Sequence, residues 1–406
     1  MVIISSIAVM LNKNIFMSKC KPSILLLSPF FSPNIGGVET HLDDLVSILN
    51  EKGYRVYVQT YSPITSPDVK WKSGENKGAN VEIRRYSWIG KNLFSKLKKF
   101  PLLDFLYITP YLFVRVFWFM VLNHEKIDVI HAHGLNAALI GGCLKKTFKK
   151  KLFVSLHSIY EIKPNSITVV LIKKILDKAD VLSTISTASC NELVSFGIPP
   201  KKLITHKNWI DLNRFKPISD KATLKKKFSL PHNFTVVCIA RLIPIKGIRE
   251  FISVAKSLPQ ITFLLVGRGP LEKFAKEEST KINNLFYLGS VDYMDLHLYY
   301  NLGDIFCIPS QYNEAYGRVS MEAVACGSPV IGSNKGGISE VLGNEVSILV
   351  DPTVNNLRKS ILQVSQSKPL FNQLKSNCRN YAEKYFSSKN AETILKCYEI
   401  NVKQSS

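Results

Sequence analysis

The chain has 406 residues, 46% of them hydrophobic, with 53 lysines and arginines against 31 acidic residues and a formal net charge of +22. That length and apolar content allow a sizeable core and call for two domains. The eight cysteines (Cys20, Cys143, Cys190, Cys238, Cys307, Cys326, Cys378, Cys397) are scattered with no Cys-x-x-Cys pair, so neither a disulfide scaffold nor a zinc site is indicated, and a reducing cytoplasm fits best. The positive charge leaves nucleic acid, an anionic membrane surface and polyanionic small molecules open as partners.

The first 21 residues, "MVIISSIAVMLNKNIFMSKCK", hold an apolar run broken by Asn12, Lys13 and Asn14, with no small-residue cleavage site. This argues against a signal peptide and makes Met17 a candidate start. "SILLLSPFF" (23–31) then reads as a strand, "SPNIGGVET" as a turn, and "HLDDLVSILNEKG" as a helix with Leu42, Leu45, Val46 and Leu49 on one face. Strand, glycine loop and helix follow one another. "YRVYVQT", "DVIHAHG", "LFVSLHS" and "DVLSTIS" continue as short buried strands separated by loops or helices, the pattern of a parallel, doubly wound α/β sheet.

Residues 87–122 join lysines to a long apolar and aromatic stretch that Asp104, Pro110 and Arg115 interrupt. Three readings stand: a membrane span at 102–122, a core helix, or a membrane-facing amphipathic surface. Lysine runs at 96–99, 145–151 and 225–227 would favour anionic lipid.

Residues 208–230, "NWIDLNRFKPISDKATLKKKFSL", are proline-, polar- and lysine-rich and read as the interdomain linker. A second strand series follows in "FTVVCIARL", "TFLLVGRGP", "LFYLGSV", "DIFCIPS" and "PVIGSN", giving two Rossmann-like halves. The expected layout is an N-terminal extension (1–21), a first domain (22–210), a second domain (211–384) and a final segment (385–406) that crosses back. Ligands bind at strand C-terminal ends in such sheets, and the cleft between the halves is the expected site.

Arg241 and Lys246, in "ARLIPIKG", sit at a strand-to-helix turn, where two cations and nearby helix amides suit a diphosphate. A solvated loop with two surface cations is the ordinary alternative. "NEAYGRVSMEAVACGSP" (313–329) places Glu314 in a loop and Glu322 in the helix after it, with free amides near Gly317, Arg318 and Val319 between them. An ionised carboxylate accepts two hydrogen bonds and matches a vicinal diol. Two such acceptors around an anion cradle describe a nucleotide-diphosphate sugar, whereas a capping Glu314 and a lysine-paired Glu322 would be structural.

"GGVETH", "IHAHG", "SLHS", "ARLIPIKG", "LLVGRGP", "LGSVD" and "EAYGRVSMEAVACGSPVIGSNKGGISEVL", in this order, resemble the family 4 retaining glycosyltransferases of GT-B fold, two Rossmann-like domains facing across a cleft. The resemblance runs from residue 22 to about 400. It implies that Glu322 binds the donor ribose and Glu314 the donor sugar, with backbone contacts to the sugar at Tyr316 and Gly317. The amides of Val319 and Ser320, with Arg241 and Lys246, would hold the diphosphate; Gly37 would touch it through its backbone, and Gly267 is counted with the donor-binding residues. His157 matches the active-site histidine, while His133 is open between an acceptor role and a structural one.

Ala240, Tyr316 and Trp209 depart from the family's usual glycine, phenylalanine and glycine, which touches donor selectivity and not the reaction class. The resemblance further implies a metal-independent enzyme without cofactor, a nucleotide sugar as co-substrate, and transfer of a hexose-type sugar to a glycan or lipid-linked acceptor in cell-surface polysaccharide synthesis. A cytoplasmic protein, peripheral at the inner face of the membrane, is the matching location. Two rivals belong to other classes: a non-catalytic GT-B protein, and a nucleic-acid binder, which charge alone supports.

Overall fold

The computed structural model describes residues 21–34, 36–64, 69–88, 93, 97 and 101–403. The first 20 residues, Met17 among them, and the three lysines within 96–99 lie outside that set. In chain order the first half contains β1 (Ile24–Leu27), α1 (Gly37–Glu51), β2 (Val56–Tyr61), β3 (Gly74–Lys77), β4 (Val81–Tyr86), α2 (Pro101–Asn123), β5 (Val129–His133) and α3 (Leu135–Phe148). It continues with β6 (Lys151–Leu156), α4 (Ile167–Leu176), β7 (Val181–Thr184), α5 (Thr187–Ser195) and β8 (Leu203–Thr205). The eight strands form one sheet in the order β3-β4-β2-β1-β5-β6-β7-β8. All its pairings are parallel except β3 with β4, an antiparallel edge that the expected purely parallel sheet lacks.

Alternate residues of the central strands feed two cores. Leu25, Leu27, Ile130 and Ala132 face α2, α3, α4 and α5, while Ile24, Leu26, Val129 and Phe153 face α1 and the chain's last helix. Burial on both faces is why β1 reads Ile-Leu-Leu-Leu, and each such side chain contributes roughly 1.5–3 kcal/mol.

The second half contains α6 (Lys221–Lys227), β9 (Thr235–Ile239), α7 (Ile248–Ser257), β10 (Thr262–Val266), α8 (Glu272–Lys281), β11 (Leu285–Tyr287), α9 (Leu296–Leu302) and β12 (Ile305–Ile308). Then come α10 (Arg318–Ala325), β13 (Val330–Ser333), α11 (Ile338–Val341), β14 (Ser347–Val350), α12 (Val354–Gln366), α13 (Lys368–Tyr385) and α14 (Glu392–Lys403). Its sheet is wholly parallel, in the order β11-β10-β9-β12-β13-β14.

The structure differs from the expected layout at the linker. The linker stretch contains α6, whose Lys221 and Lys225 lie 2.6 and 3.4 Å from Asp304, so these lysines belong to the second domain's packing. At the C-terminus, α13 packs against α10 in the second domain, and the chain from the 3₁₀ turn Ser388–Ala391 through α14 returns to the first. Tyr398 of α14 is fully buried there, with its hydroxyl 2.7 Å from His131 Nδ1 on β5.

Candidate active site

The C-terminal ends of the two sheets face each other, and the side chains gathered there come from elements far apart in sequence. Arg241 leaves β9 and is exposed. Its position depends on Gly267, whose φ is +139° and whose absent Cβ would lie 1.9 Å from the Ala240 carbonyl oxygen. Gly267 therefore makes a close backbone approach beneath Arg241. Lys246 ends a single 3₁₀ turn, and Gly247 behind it, at φ +70°, passes against the Pro309 carbonyl.

Lys246 Nζ lies 2.8 Å from Glu314 Oε1 and 5.0 Å from the Tyr312 ring centre, and both charged side chains are largely buried. Burial opposes the ammonium charge, but the Glu314 carboxylate and Tyr312 more than offset it, and the Lys246 pKa rises above the ordinary lysine value. The ammonium has three donors, so the ion pair leaves Lys246 with capacity to reach a ligand. Ser310 also donates to Glu314. The Glu314 carbonyl accepts from the Gly337 amide at 2.6 Å, which a Cβ on Gly336 would obstruct.

Gly317, at φ +75°, caps α10 in the left-handed region and turns the helix into the cleft wall. The amides of Arg318 and Val319 have no protein acceptor among the described residues, as expected at a helix start. Ser320 differs from the sequence expectation: its amide and its hydroxyl both donate to the Gly317 carbonyl, at 2.9 and 2.6 Å, because the capping turn brings that oxygen back over the helix. Tyr316 buries its ring in the second domain's core. Gly37 is the first residue of α1, across the cleft, with open space beside its Cα.

Glu322 is not paired with a surface lysine. It is 2% exposed, accepts from Arg318 Nε at 3.0 Å and Tyr300 Oη at 2.7 Å, and burial raises its pKa against the pull of Arg318. Arg318 also donates to Asp44 Oδ2 of α1 at 2.5 Å, to the Trp209 carbonyl and to Tyr293 Oη. One guanidinium thus ties the second domain's glutamate to the first domain. Sequence reasoning named the Arg318 amide but missed its side chain, together with Tyr300 and Asp44, as parts of this site, since no local pattern joins positions 44, 300 and 318.

The first domain contributes histidines. His157 follows β6, and its Nε2 lies 3.0 Å from Nδ1 of His133, which is 3% exposed and stands behind it. His131 bridges Ser155 and Tyr398 inside the domain. His41 of α1 packs against His157, His206 and Trp209. Burial pushes all five imidazoles down, His157 to about 4 and His206 to about 3, so each is neutral at pH 7. His157 accordingly offers a hydrogen bond and no charge.

Because these folded-state values lie below the ordinary histidine value of about 6.5, the unfolded chain takes up protons first as the pH falls. Their stabilisation is complete above about pH 6.5 and is lost toward the folded values. The raised carboxyls of Glu39, Asp44 and Glu322 act in the opposite sense and are fewer. Urea unfolding should therefore show stability falling from pH 7 to pH 4, by up to about 1.4 kcal/mol per unit for each histidine. A flat profile over that interval would contradict the buried neutral cluster.

Across the cleft, Glu340 of α11 accepts from the amides of Thr187 and Ala188 at the start of α5, at 2.6 and 2.9 Å, and Asn313 donates to Glu161. A cavity of about 630 Å³ lies beside these contacts, lined in part by Ile159, Asn191, Asn313 and Glu340.

Residues 35–214 match the Glycosyltransferase Family 4 profile and residues 220–385 that of glycosyl transferases group 1. The chain is 26% identical over 352 residues to the gpi3 component of the Schizosaccharomyces pombe phosphatidylinositol N-acetylglucosaminyltransferase, covering 84% of this chain and 72% of that one. It is 25% identical over 360 residues to a GDP-mannose-dependent monoacylated alpha-(1-6)-phosphatidylinositol monomannoside mannosyltransferase of Corynebacterium glutamicum, covering 84% and 88%. Among solved structures, Anabaena Alr3699/HepE in complex with UDP and glucose superposes with a TM-score of 0.74 at 22% identity over 93% of this chain and 99% of that one. Sucrose-phosphate synthase from Thermosynechococcus elongatus gives 0.76 at 21% identity over 95% and 100%. At these identities the structural likeness establishes the two-domain GT-B architecture.

Proposed function

Because the chain belongs to glycosyltransferase family 4, with one family match on each of its two domains, we propose that it moves a hexose-type sugar from a nucleotide-diphosphate sugar to a glycan or lipid-linked acceptor in cell-surface polysaccharide synthesis. The observation that carries this reading is the cleft wall of the second domain. There Lys246 meets Glu314, Arg318 meets Glu322, and the open amides of Arg318 and Val319 lie between the two carboxylates in the chain. Cations and amides suit a diphosphate, and carboxylates suit the hydroxyls of ribose and sugar on either side of it.

In this reading Glu322 takes the ribose hydroxyls and Glu314 those of the sugar, which also runs along the backbone at Tyr316 and Gly317. Gly267 supports the Arg241 loop, and Gly37 lets the first domain's backbone approach the diphosphate. Arg241, Lys246 and the Val319 amide stabilise the charge that grows on the diphosphate as the anomeric C–O bond breaks, each charge-assisted contact worth about 1.5–3 kcal/mol. The departing phosphate oxygen takes the proton of the acceptor hydroxyl while that oxygen bonds to the same face of the anomeric carbon, which retains the configuration. Neutral His157 donates to an oxygen at the reacting centre. The chemistry uses neither a metal nor a cofactor, because the two cations carry the charge.

Incubation with UDP-, GDP- and ADP-linked hexoses tests this reading. One donor should release its nucleoside diphosphate in an acceptor-dependent way, undiminished by EDTA, with the starting anomeric configuration in the product by NMR. Loss of activity in EDTA would overturn the metal-independent mechanism, and an inverted product would overturn retention.

A further inference from the structure

The first domain carries an apolar surface that the reaction does not use. One face of α2 is core: Ile108, Leu112, Val116 and Met120 are buried, and the buried Tyr61 hydroxyl at the end of β2 donates to the Ile108 carbonyl and accepts from the Leu112 amide. The opposite face is bare. Leu102 is 67% exposed, Trp118 62% and Leu122 76%, with Leu106 and Val114 between them at four-residue spacing. A second bare stripe lies on α4, where Ile167 is 79% exposed and Val170 and Leu171 are more than half exposed.

The two stripes are not independent. α3 packs against both helices, so the three form one layer on one side of the sheet. Each helix runs back along a parallel sheet, which puts the starts of α2 and α4 at the C-terminal edge of the strands, the edge that carries His157. Since residues 108–112 are pinned level with the last residue of β2, Leu102 and Leu106 sit on the cleft side of that level. α4 begins ten residues after His157, beyond the loop that touches Asn313 of the second domain.

Charge selects what covers this surface. Among the described residues of the first two turns of α2 and α4, Asp104 is the one carboxylate, and it is half-buried. Exposed lysines flank the stripe on α4, Lys163 before it and Lys174 at its end, and Lys96, Lys98 and Lys99 immediately precede α2 in the sequence. Exposed leucine, isoleucine and tryptophan rimmed by lysine, on a chain with a net charge of +22, complement an anionic bilayer. Although α2 is long and apolar enough to cross a membrane, its buried face and its bonds to Tyr61 hold it in the domain.

We propose that the exposed faces of α2 and α4 form a docking surface for an anionic lipid bilayer, which holds the mouth of the cleft at the membrane, where a lipid-linked acceptor presents its hydroxyl. This rests on the glycosyltransferase reading and names the side from which its acceptor arrives.

Flotation of the full chain tests it, with vesicles of phosphatidylcholine alone and of phosphatidylcholine mixed with phosphatidylglycerol. The protein should float with the mixed vesicles, less with the neutral ones, and less at high salt. Leu106→Glu with Ile167→Glu, both exposed, should weaken vesicle binding roughly tenfold or more, since each removes a buried apolar contact with lipid. The same variant should keep the wild-type melting temperature and nucleotide affinity. If the wild-type protein stays at the bottom with protein-free anionic vesicles, as a surface made for a protein partner or a second copy would, the proposal fails. It fails equally if the variant floats like the wild type. Neither failure touches nucleotide binding, which tests the donor site separately.

Discussion

Arg318→Met is expected to lower the stability of the protein by about 3–5 kcal/mol, measured as a shift of the urea unfolding curve. Arg318 is 8% exposed and serves Glu322, Asp44, the Trp209 carbonyl and Tyr293 at once. A methionine fills similar volume and keeps none of these bonds, so two carboxylates whose pKa values burial already raises lose their common counter-charge. Removing one partner of a buried pair costs more than the pair itself contributes, because the other charge stays behind. The loss should shrink as the pH falls and those carboxyls protonate. It should also shrink at neutral pH when Asp44→Asn and Glu322→Gln are added. A cost below about 1 kcal/mol, the range of an exposed ion pair, would mean that Arg318 does not tie the domains together.

Lys246→Met is expected to lower kcat by about 10²–10³-fold, the scale for loss of a group aimed at developing charge. Its Nζ is held beside Glu314 before any ligand arrives, so little reorganisation is needed when the diphosphate charge grows. Adding Glu314→Gln separates catalysis from folding, since it removes the carboxylate that the single variant leaves unpaired. Stability should then recover while kcat stays low. Lys246→Arg should recover only part of the rate, because a planar fork does not match the contacts of a compact ammonium. A rise in KM with unchanged kcat would assign Lys246 to binding that is equally strong in the ground and transition states.

Much of this was legible in the sequence wherever one local property sufficed. The ten strands read from apolar runs are all present, because parallel strands buried on two faces must be apolar almost throughout. Of the four strands that escaped, β3 and β4 lack that property, while β8 (Leu-Ile-Thr) and β14 (Ser-Ile-Leu-Val) are short apolar pieces. β3 is Gly-Glu-Asn-Lys on an exposed edge, and β4 carries two arginines, of which Arg85 is buried against the Ser32 carbonyl and Glu75. The charged residues of the cleft could be named from their motifs, but their partners could not. Asp44 and Arg318 stand 274 positions apart, and only the closure of two domains brings them together. Gly336 and Gly337 were visible in a motif without a reason, which the close approach of the Glu314 and Ala315 carbonyls now supplies. The exposure of "ITVVLIKKIL" was hidden for the opposite cause: apolar residues look alike in sequence whether a core covers them or not.

The most direct test of the donor site is calorimetric titration of UDP, GDP and ADP into the wild-type protein and into Glu322→Ala and Arg241→Ala. One nucleotide should bind, and each substitution should weaken it by about 1.5–3 kcal/mol, the loss of a charge-assisted contact. Failure of all three nucleotides to bind, or binding that neither substitution weakens, would contradict the donor site and leave the chain as a family member that does not use a nucleotide sugar.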